Sequence, residues 1–143
     1  MKKRVFFILA AFLAMADAFA GNFLDYGNYT VTDTYTGLTW QKTEGGAMAW
    51  KSAISYCEGL GLAGKFDWRL PDKKELVSIV NYDKNNPAID TVYFPNVNSS
   101  NYWSSTTYAS STSLAWHVYF RNGNTYYNDK SLYFHVRCVR GGQ

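Results

Sequence analysis

Apolar residues recur at helical spacing in one segment of the first half of the chain. The stripe, with steps of three and four residues, consists of Trp50, Ala53, Ile54, Cys57 and Leu60. This periodicity predicts an amphipathic helix from about Ala47 to Glu58. Gly59 and Gly61 follow, and because glycine commonly ends a helix, we expect this one to stop there.

A second helix is expected to begin at Asp72. The Asp72 carboxylate can cap the first turn, and Glu75, three positions later, completes the spacing of a capping box. The apolar side chains that would form the buried face of this helix are Leu76, Ile79 and Val80.

The remaining sequence is typical of strands and loops. Residues 30–41 alternate loosely between apolar and polar types, and Thr36-Gly37 predicts a turn before a strand from Leu38 to Gln41. From Asn101 onward the chain is rich in Tyr, Ser, Thr, Asn and Trp, with few runs that favour a helix. The second half is therefore predicted to be β-strand and loop.

Alternation is sharpest around Asn122-Gly123, the pair best suited to a two-residue type I′ turn, and it predicts a β-hairpin. Such a turn would place Tyr119 opposite Tyr126, and directly opposed residues share a face. One face of the predicted hairpin carries Trp116, Val118, Phe120 and Tyr127. The other face carries His117, Tyr119, Arg121, Asn124, Tyr126 and Asn128.

The last strand is predicted from the same period of two. Its apolar face consists of Leu132, Phe134, Val136 and Cys138. Its opposite face consists of Tyr133, His135 and Arg137. This arrangement puts Cys138 among core residues, where the apolar stripe of the first helix could meet it.

The N-terminus has the layout of a secretory signal, with a basic start, a short apolar run and a small-x-small site before Gly21. The apolar run is about half the ~20 residues that a membrane-spanning helix needs, so removal is expected rather than anchoring. We expect a signal peptide over residues 1–20 and a single domain over residues 21–143. The protein would then be exported, to the bacterial periplasm or to the cell surface and exterior.

Charge argues against a nucleic-acid partner. The chain carries a net charge of +3, and only about +1 remains once the charged residues of the signal are removed. We therefore expect no nucleic-acid binding and no membrane insertion after signal removal. Nothing in the sequence indicates an oligomeric state.

The chain has two cysteines, Cys57 and Cys138. In an oxidising compartment they are expected to form one disulfide between the first helix and the last strand. In the chain-entropy model, a disulfide that closes the long segment between Cys57 and Cys138 stabilises the folded protein by roughly 4 to 5 kcal/mol. Two free buried thiols are the alternative, and a metal site is disfavoured because the close ligand pairs of zinc sites are missing.

Several short motifs along the chain together resemble a known domain family. In order they are Gly37-Leu38-Thr39-Trp40-Gln41, Tyr56-Cys57, Asp67-Trp68-Arg69-Leu70-Pro71, Lys74-Glu75-Leu76, Phe94-Pro95, Tyr102-Trp103-Ser104-Ser105-Thr106, Ala115-Trp116 and Val136-Arg137-Cys138-Val139-Arg140. They resemble the bacterial domain family typified by the C-terminal domain of the Legionella collagen-like adhesin. The resemblance spans residues 36–140.

The resemblance implies an α+β, C-type lectin-like fold, with two early helices packed on a small antiparallel sheet and a loop-rich second half. It also implies an adhesion-type role. Within its motifs, the residues expected to be structural rather than ligand-binding are Trp40, Trp68, Arg69, Pro71, Trp103 and Trp116. Arg69 is expected to pair with a carboxylate or a carbonyl.

No motif for catalysis or for a cofactor stands out. The chain has neither the Glu-Pro-Asn nor the Trp-Asn-Asp signature of calcium-dependent lectins, and no catalytic motif with recognisable spacing. We therefore expect no enzyme activity, no cofactor and no bound metal. An enzyme related to formylglycine-generating folds, a structural component of an envelope assembly, and a binding protein diversified by a retroelement remain alternatives.

The second face of the predicted hairpin is the candidate binding surface. Its tyrosines offer large contact area at low entropy cost, and its amide, imidazole and guanidinium groups offer hydrogen bonds. We predict that this face binds an extracytoplasmic glycan or protein. The alternative is that it is only the solvated or loop-covered side of a sheet.

Overall fold

The computed structural model describes residues 22–142, so the predicted signal peptide lies outside the described residues. The helices are α1 (Trp50–Glu58) and α2 (Lys73–Ser78). The strands are β1 (Phe23–Asp25), β2 (Thr30–Asp33), β3 (Thr39–Gln41), β4 (Ala47–Met48), β5 (Asn101–Thr107), β6 (Leu114–Tyr119), β7 (Asn124–Asp129), β8 (Phe134–His135) and β9 (Val139–Arg140).

The strands form two sheets, in the orders β1-β2-β3-β9 and β4-β8-β5-β6-β7. All pairings are antiparallel except that of β5 with β8, which is parallel. The α+β class is as predicted, but the expectation of one small antiparallel sheet is wrong. The physical reason is that the C-terminal segment supplies β8 to one sheet and β9 to the other.

Both predicted helices are present, and the first is shorter than expected. It begins at Trp50 instead of Ala47, because Ala47 and Met48 pair with β8 and are therefore extended. The second has the predicted capping box: the Asp72 carboxylate accepts from the Glu75 N–H at 2.8 Å, and the Asp72 N–H donates to the Glu75 carboxylate at 2.9 Å.

Two buried clusters lie on opposite faces of the five-stranded sheet. In the first cluster, α2 and the four-stranded sheet pack against one face of β5 and β6, the face that carries Tyr102 and Val118. The second joins α1 to the face that carries Trp103 and Ala115. Neighbouring strand residues point to opposite faces, so Tyr102 and Trp103 belong to different clusters.

The disulfide between Cys57 and Cys138 is confirmed. It joins α1 to the residue just before β9, and both cysteines are fully buried in the second cluster. No free cysteine remains within residues 22–142.

The last predicted strand is correct only in part. Phe134, Val136 and Cys138 pack in the second cluster as expected, but Leu132 lies outside it and is exposed. Arg137, predicted on the opposite face, is buried, and its guanidinium donates to the carbonyl oxygens of Gln41 and Lys42. The segment crosses between two sheets, so both of its sides meet protein.

The hairpin forms with a register two residues away from the predicted one. Tyr119 pairs with Asn124 and His117 with Tyr126, so the loop has four residues rather than two. Arg121, predicted to face Asn124, does not extend the ladder to β7, because its carbonyl accepts from the Asn86 N–H instead. A shift of two leaves every side chain on its predicted face.

Burial of the two hairpin faces differs from expectation. His117, predicted on the binding face, is only 2% exposed, whereas Tyr127 on the other face is 44% exposed. The His117 ring lies against Phe134, with ring centroids 4.6 Å apart, and near Trp103 at 6.0 Å. The prediction that His117 belongs to an open surface is wrong, because the Phe134 side chain of β8 and the Trp103 side chain of β5 pack against its ring.

Removal of the disulfide should destabilise the domain. A Cys57→Ala, Cys138→Ala variant is expected to lose about 2 to 5 kcal/mol of unfolding free energy, because its unfolded chain is no longer constrained by the cross-link. Denaturant titration of the oxidised protein, the reduced protein and the variant measures this loss. Equal midpoints for all three would contradict the stabilising role.

Acid should destabilise the fold through His117. Burial lowers the pKa of His117 to about 4, below its ordinary value of 6.5. Between pH 6.5 and pH 4, therefore, His117 is protonated in the unfolded chain but neutral in the folded chain. The unfolding free energy should therefore fall as the pH drops from about 6.5 to about 4, by up to about 3 kcal/mol.

A His117→Gln variant removes this titration and can keep a hydrogen bond to Asn128. Its unfolding free energy should change less than that of the wild type between pH 6.5 and 5, where most carboxylates remain ionised. Identical slopes for the two proteins, from denaturant titrations at each pH, would rule out the contribution of His117.

Candidate functional site

A row of polar and aromatic side chains crosses three neighbouring strands at the hairpin end of the five-stranded sheet. Asn101 on β5 pairs with Tyr119 on β6, and Tyr119 pairs with Asn124 on β7. Tyr126 and Asn128 lie further along β7 on the same face. We call these five residues the amide–tyrosine face.

Tyr126 is the most prominent ring of this face, with 45% of its surface exposed. Its hydroxyl accepts a hydrogen bond from the Asn124 amide nitrogen at 3.2 Å. Its ring centroid lies 6.0 Å from that of the buried His117. Tyr126 therefore presents a large contact surface whose position is set by neighbours on two sides.

His117 supports the face from below. Its Nε2 lies 2.9 Å from the Asn128 side-chain nitrogen, so the Asn128 amide donates to it when the neutral imidazole carries its proton on Nδ1. Because burial lowers the pKa of His117 to about 4, the ring is neutral at pH 7. The structure thus gives His117 the role of positioning Asn128, not that of a charged ligand contact.

The predicted binding residues divide into three groups. Tyr119, Asn124, Tyr126 and Asn128 share one face, as the alternation indicated. His117 is beneath that face, and Arg121 lies in the exposed turn beyond it. The loop is longer than predicted, so Arg121 is not in the β-ladder.

Sequence reasoning missed Asn101. The alternation of Asn101, Tyr102 and Trp103 would place Asn101 on the same face as Trp103, but the sequence does not indicate which strand lies beside β5. Pairing of Asn101 with Tyr119 is long-range and follows from the packed sheet alone.

The opposite hairpin face holds an aromatic cluster. Tyr108 stacks on Tyr127 with ring centroids 3.9 Å apart, and Trp116 meets both rings edge-on at 5.6 and 5.1 Å. The Lys73 ammonium, at the start of α2, lies 3.4 Å from the centroid of a Trp116 ring. These contacts join α2 to the hairpin, and such cation–π pairs stabilise by about 0.5 to 2 kcal/mol.

Lys130 also contributes to packing. Its ammonium lies 3.9 Å from the centroid of a Trp50 ring and donates to the Thr107 hydroxyl and to the Thr112 carbonyl. These contacts hold Lys130 against α1 and the loop after β5. Its charge is largely satisfied within the domain.

The motif residues occupy internal positions. Trp40, Trp68, Trp103 and Pro71 are buried, whereas Trp116 is half-buried. Arg69 makes a two-pronged ion pair with Glu75, at 2.6 and 2.7 Å, and donates to the Gly141 carbonyl at 2.8 Å. Burial opposes ionisation of Glu75, but hydrogen bonds from Arg69 and from the Asp72 N–H outweigh it and lower the pKa of Glu75.

Other polar groups are engaged locally. Glu44 accepts from Asn98 and from the Gly46 N–H, and lies 3.0 Å from the His135 ring nitrogen. A cleft of about 390 Å³ contains the carboxylates of Asp33 and Asp90, both of which accept from nearby backbone N–H groups.

The described residues give no indication of a metal centre or of a membrane span. Between residues 22 and 142, no group of three or more His, Cys, Asp and Glu side chains is arranged to hold a metal ion. In the same part of the chain, no helix combines the length and the apolar character needed to cross a bilayer.

Comparison with known proteins identifies the family. The model of a family described as the Lcl C-terminal domain matches residues 29–140, which include the whole amide–tyrosine face. A comparison with curated proteins finds no match. The family match covers well over half of the chain and confirms the resemblance drawn from its motifs. The chain therefore belongs to the Lcl C-terminal domain family.

Proposed function

We propose that this protein is an exported, non-catalytic adhesion-type domain that binds an extracytoplasmic glycan or protein. The observation that carries the proposal is the amide–tyrosine face, in which three strands present amide groups and tyrosine rings side by side. Family membership adds support, since the family takes its name from the terminal domain of an adhesin.

The chemistry of the face suits selective but reversible contact. Tyr119 and Tyr126 supply flat amphipathic rings, and the amides of Asn101, Asn124 and Asn128 both donate and accept hydrogen bonds. The sheet ladder holds the backbone beneath them. A ligand would therefore bind without ordering a loop, which lowers the entropy cost of association.

We propose further that the fold is C-type lectin-like. The supporting features are a long-range disulfide between the first helix and the C-terminal segment, and the pairing of β3 with β9 near the chain ends. A second, loop-connected sheet then carries the candidate site, away from the paired ends.

Export is part of the proposal. The motivating features are the signal-like residues 1–20 and a disulfide that persists in oxidising compartments. The periplasm, the cell surface and the exterior all fit these features.

The binding face can be tested with an Asn124→Ala, Tyr126→Ala variant. Its affinity for a ligand found by glycan array or by pull-down should fall at least about tenfold, because a central ring and its hydrogen-bonding neighbour are lost. Both side chains are exposed, so the variant should keep its melting temperature.

Tyr35→Ala is a matched control, since Tyr35 is 85% exposed in the turn between β2 and β3, on the other sheet. Its affinity should equal that of the wild type. If the double variant binds normally while folded, the site is misplaced. Co-purification of one fixed envelope protein, with no glycan bound, would favour a structural role.

A further inference from the structure

Tyr108 and Tyr127 form a close face-to-face stack on the hairpin. Their ring centroids are 3.9 Å apart and their planes differ by 10°, whereas aromatic pairs usually keep their centroids about 4.5 to 7 Å apart, offset or edge to face. The chain has 12 tyrosines, all within residues 22–142. In that range only this pair brings two tyrosine rings into contact.

The two phenol groups also point the same way. Interaction with the Tyr108 hydroxyl raises the pKa of Tyr127, so the two hydroxyls lie next to each other. Because the rings are nearly parallel and their hydroxyls are neighbours, the Cε atoms beside each hydroxyl face one another as well. The stack therefore sets the Cε atoms of one ring over those of the other.

Backbone contacts hold both rings in place. The Tyr108 N–H donates to the Leu114 carbonyl at 2.9 Å, and the Tyr108 carbonyl accepts from the Ser111 N–H at 3.2 Å. Tyr127 pairs with Trp116 in the β-ladder, and the Trp116 ring meets both tyrosine rings edge-on. Tyr127 is 44% exposed and Tyr108 is half-buried, so a diffusing oxidant reaches the pair.

This geometry is the one in which two tyrosyl radicals couple. A phenoxyl radical carries unpaired electron density on its oxygen and on its Cε atoms, in π orbitals perpendicular to the ring. A bond between two such carbons forms when these orbitals point at each other, as they do in a face-to-face stack. Tyr108 and Tyr127 meet this condition before any oxidation takes place, so the entropy cost of bringing them together is already met by folding.

We propose that Tyr108 and Tyr127 are a site of oxidative modification, at which a dityrosine bond forms between their Cε atoms. Each phenol loses one electron and its hydroxyl proton, and the two Cε atoms form a single bond. The hydrogen on each of these carbons then moves to the oxygen of its ring, which becomes aromatic again. The two electrons and two protons released reduce one molecule of hydrogen peroxide to two molecules of water, through a haem peroxidase.

The bond ties the loop after β5 to the outer strand of the five-stranded sheet. Tyr108 directly follows β5, and Tyr127 lies on β7, which pairs with β6 alone among the described strands. It is a second covalent tie, distant in the chain from the disulfide, and it forms only after folding has built the stack. The inference does not depend on ligand binding, since Tyr127 lies on the opposite side of the hairpin from the amide–tyrosine face.

Hydrogen peroxide and a haem peroxidase, added to the purified mature chain at low micromolar concentration, test the proposal. The monomer is then separated by size exclusion, because the highly exposed Tyr35 and Tyr133 can couple between chains. This monomer should show dityrosine fluorescence, and its intact mass should be lower by two hydrogen atoms.

Phenylalanine variants locate the bond without removing a ring. Tyr108→Phe and Tyr127→Phe should each reduce the dityrosine signal of the monomer at least about tenfold, because the remaining tyrosines are not held against one another. Tyr126→Phe is the matched control: Tyr126 is 45% exposed on the same strand, and its ring neighbour is His117. It should keep the wild-type signal. A signal confined to linked dimers, or a monomer signal unchanged in Tyr108→Phe, would overturn the proposal.

Discussion

The fold depends on the C-terminal segment, which belongs to both sheets at once. Strand β8 pairs with β4 and β5, and five residues later β9 pairs with β3. Between them, Cys138 is bonded to Cys57 on α1. One covalent bond therefore fixes a helix against the point where the two sheets meet, and a loop of 81 residues is closed by it.

That junction is polar as well as covalent. Gln41 pairs with Cys138 through its backbone N–H and again through its side-chain oxygen, both at 3.0 Å. The Arg137 guanidinium donates to two carbonyl oxygens and lies 5.0 Å from the Phe94 ring centroid. Because unpaired buried groups cost about 1 to 3 kcal/mol each, these bonds make one arrangement of the segment far better than its alternatives.

The candidate binding surface that this framework supports lies mainly on the hairpin. Its two faces meet different neighbours, because the Phe134 ring of β8 packs against His117 on one side and Lys73 at the start of α2 lies over Trp116 on the other. The amide–tyrosine face lies on the same side of the sheet as the buried His117 and includes its neighbour Tyr126. Three of its five residues, Asn124, Tyr126 and Asn128, lie on β7, the edge strand of the sheet.

Local chemistry in the sequence determined much of this protein. The capping box at Asp72, the helix that carries Cys57 and the alternation of the hairpin follow from residues near in the chain, and each is present. The disulfide was predictable because only two cysteines were available. Tyr119, Asn124 and Tyr126 could be placed on one face because the period of a strand survives a shift of two residues.

Only the tertiary structure decided what covers each face. The sequence could not indicate that the Arg121 carbonyl accepts from the Asn86 N–H, so that Arg121 stays outside the ladder and the loop is longer. It could not show that Phe134 packs against the buried His117, or that Asn101 lies next to Tyr119. These relations join residues that are far apart in the chain, and they depend on which surfaces pack together, whereas periodicity reports only the direction of each side chain from its own strand.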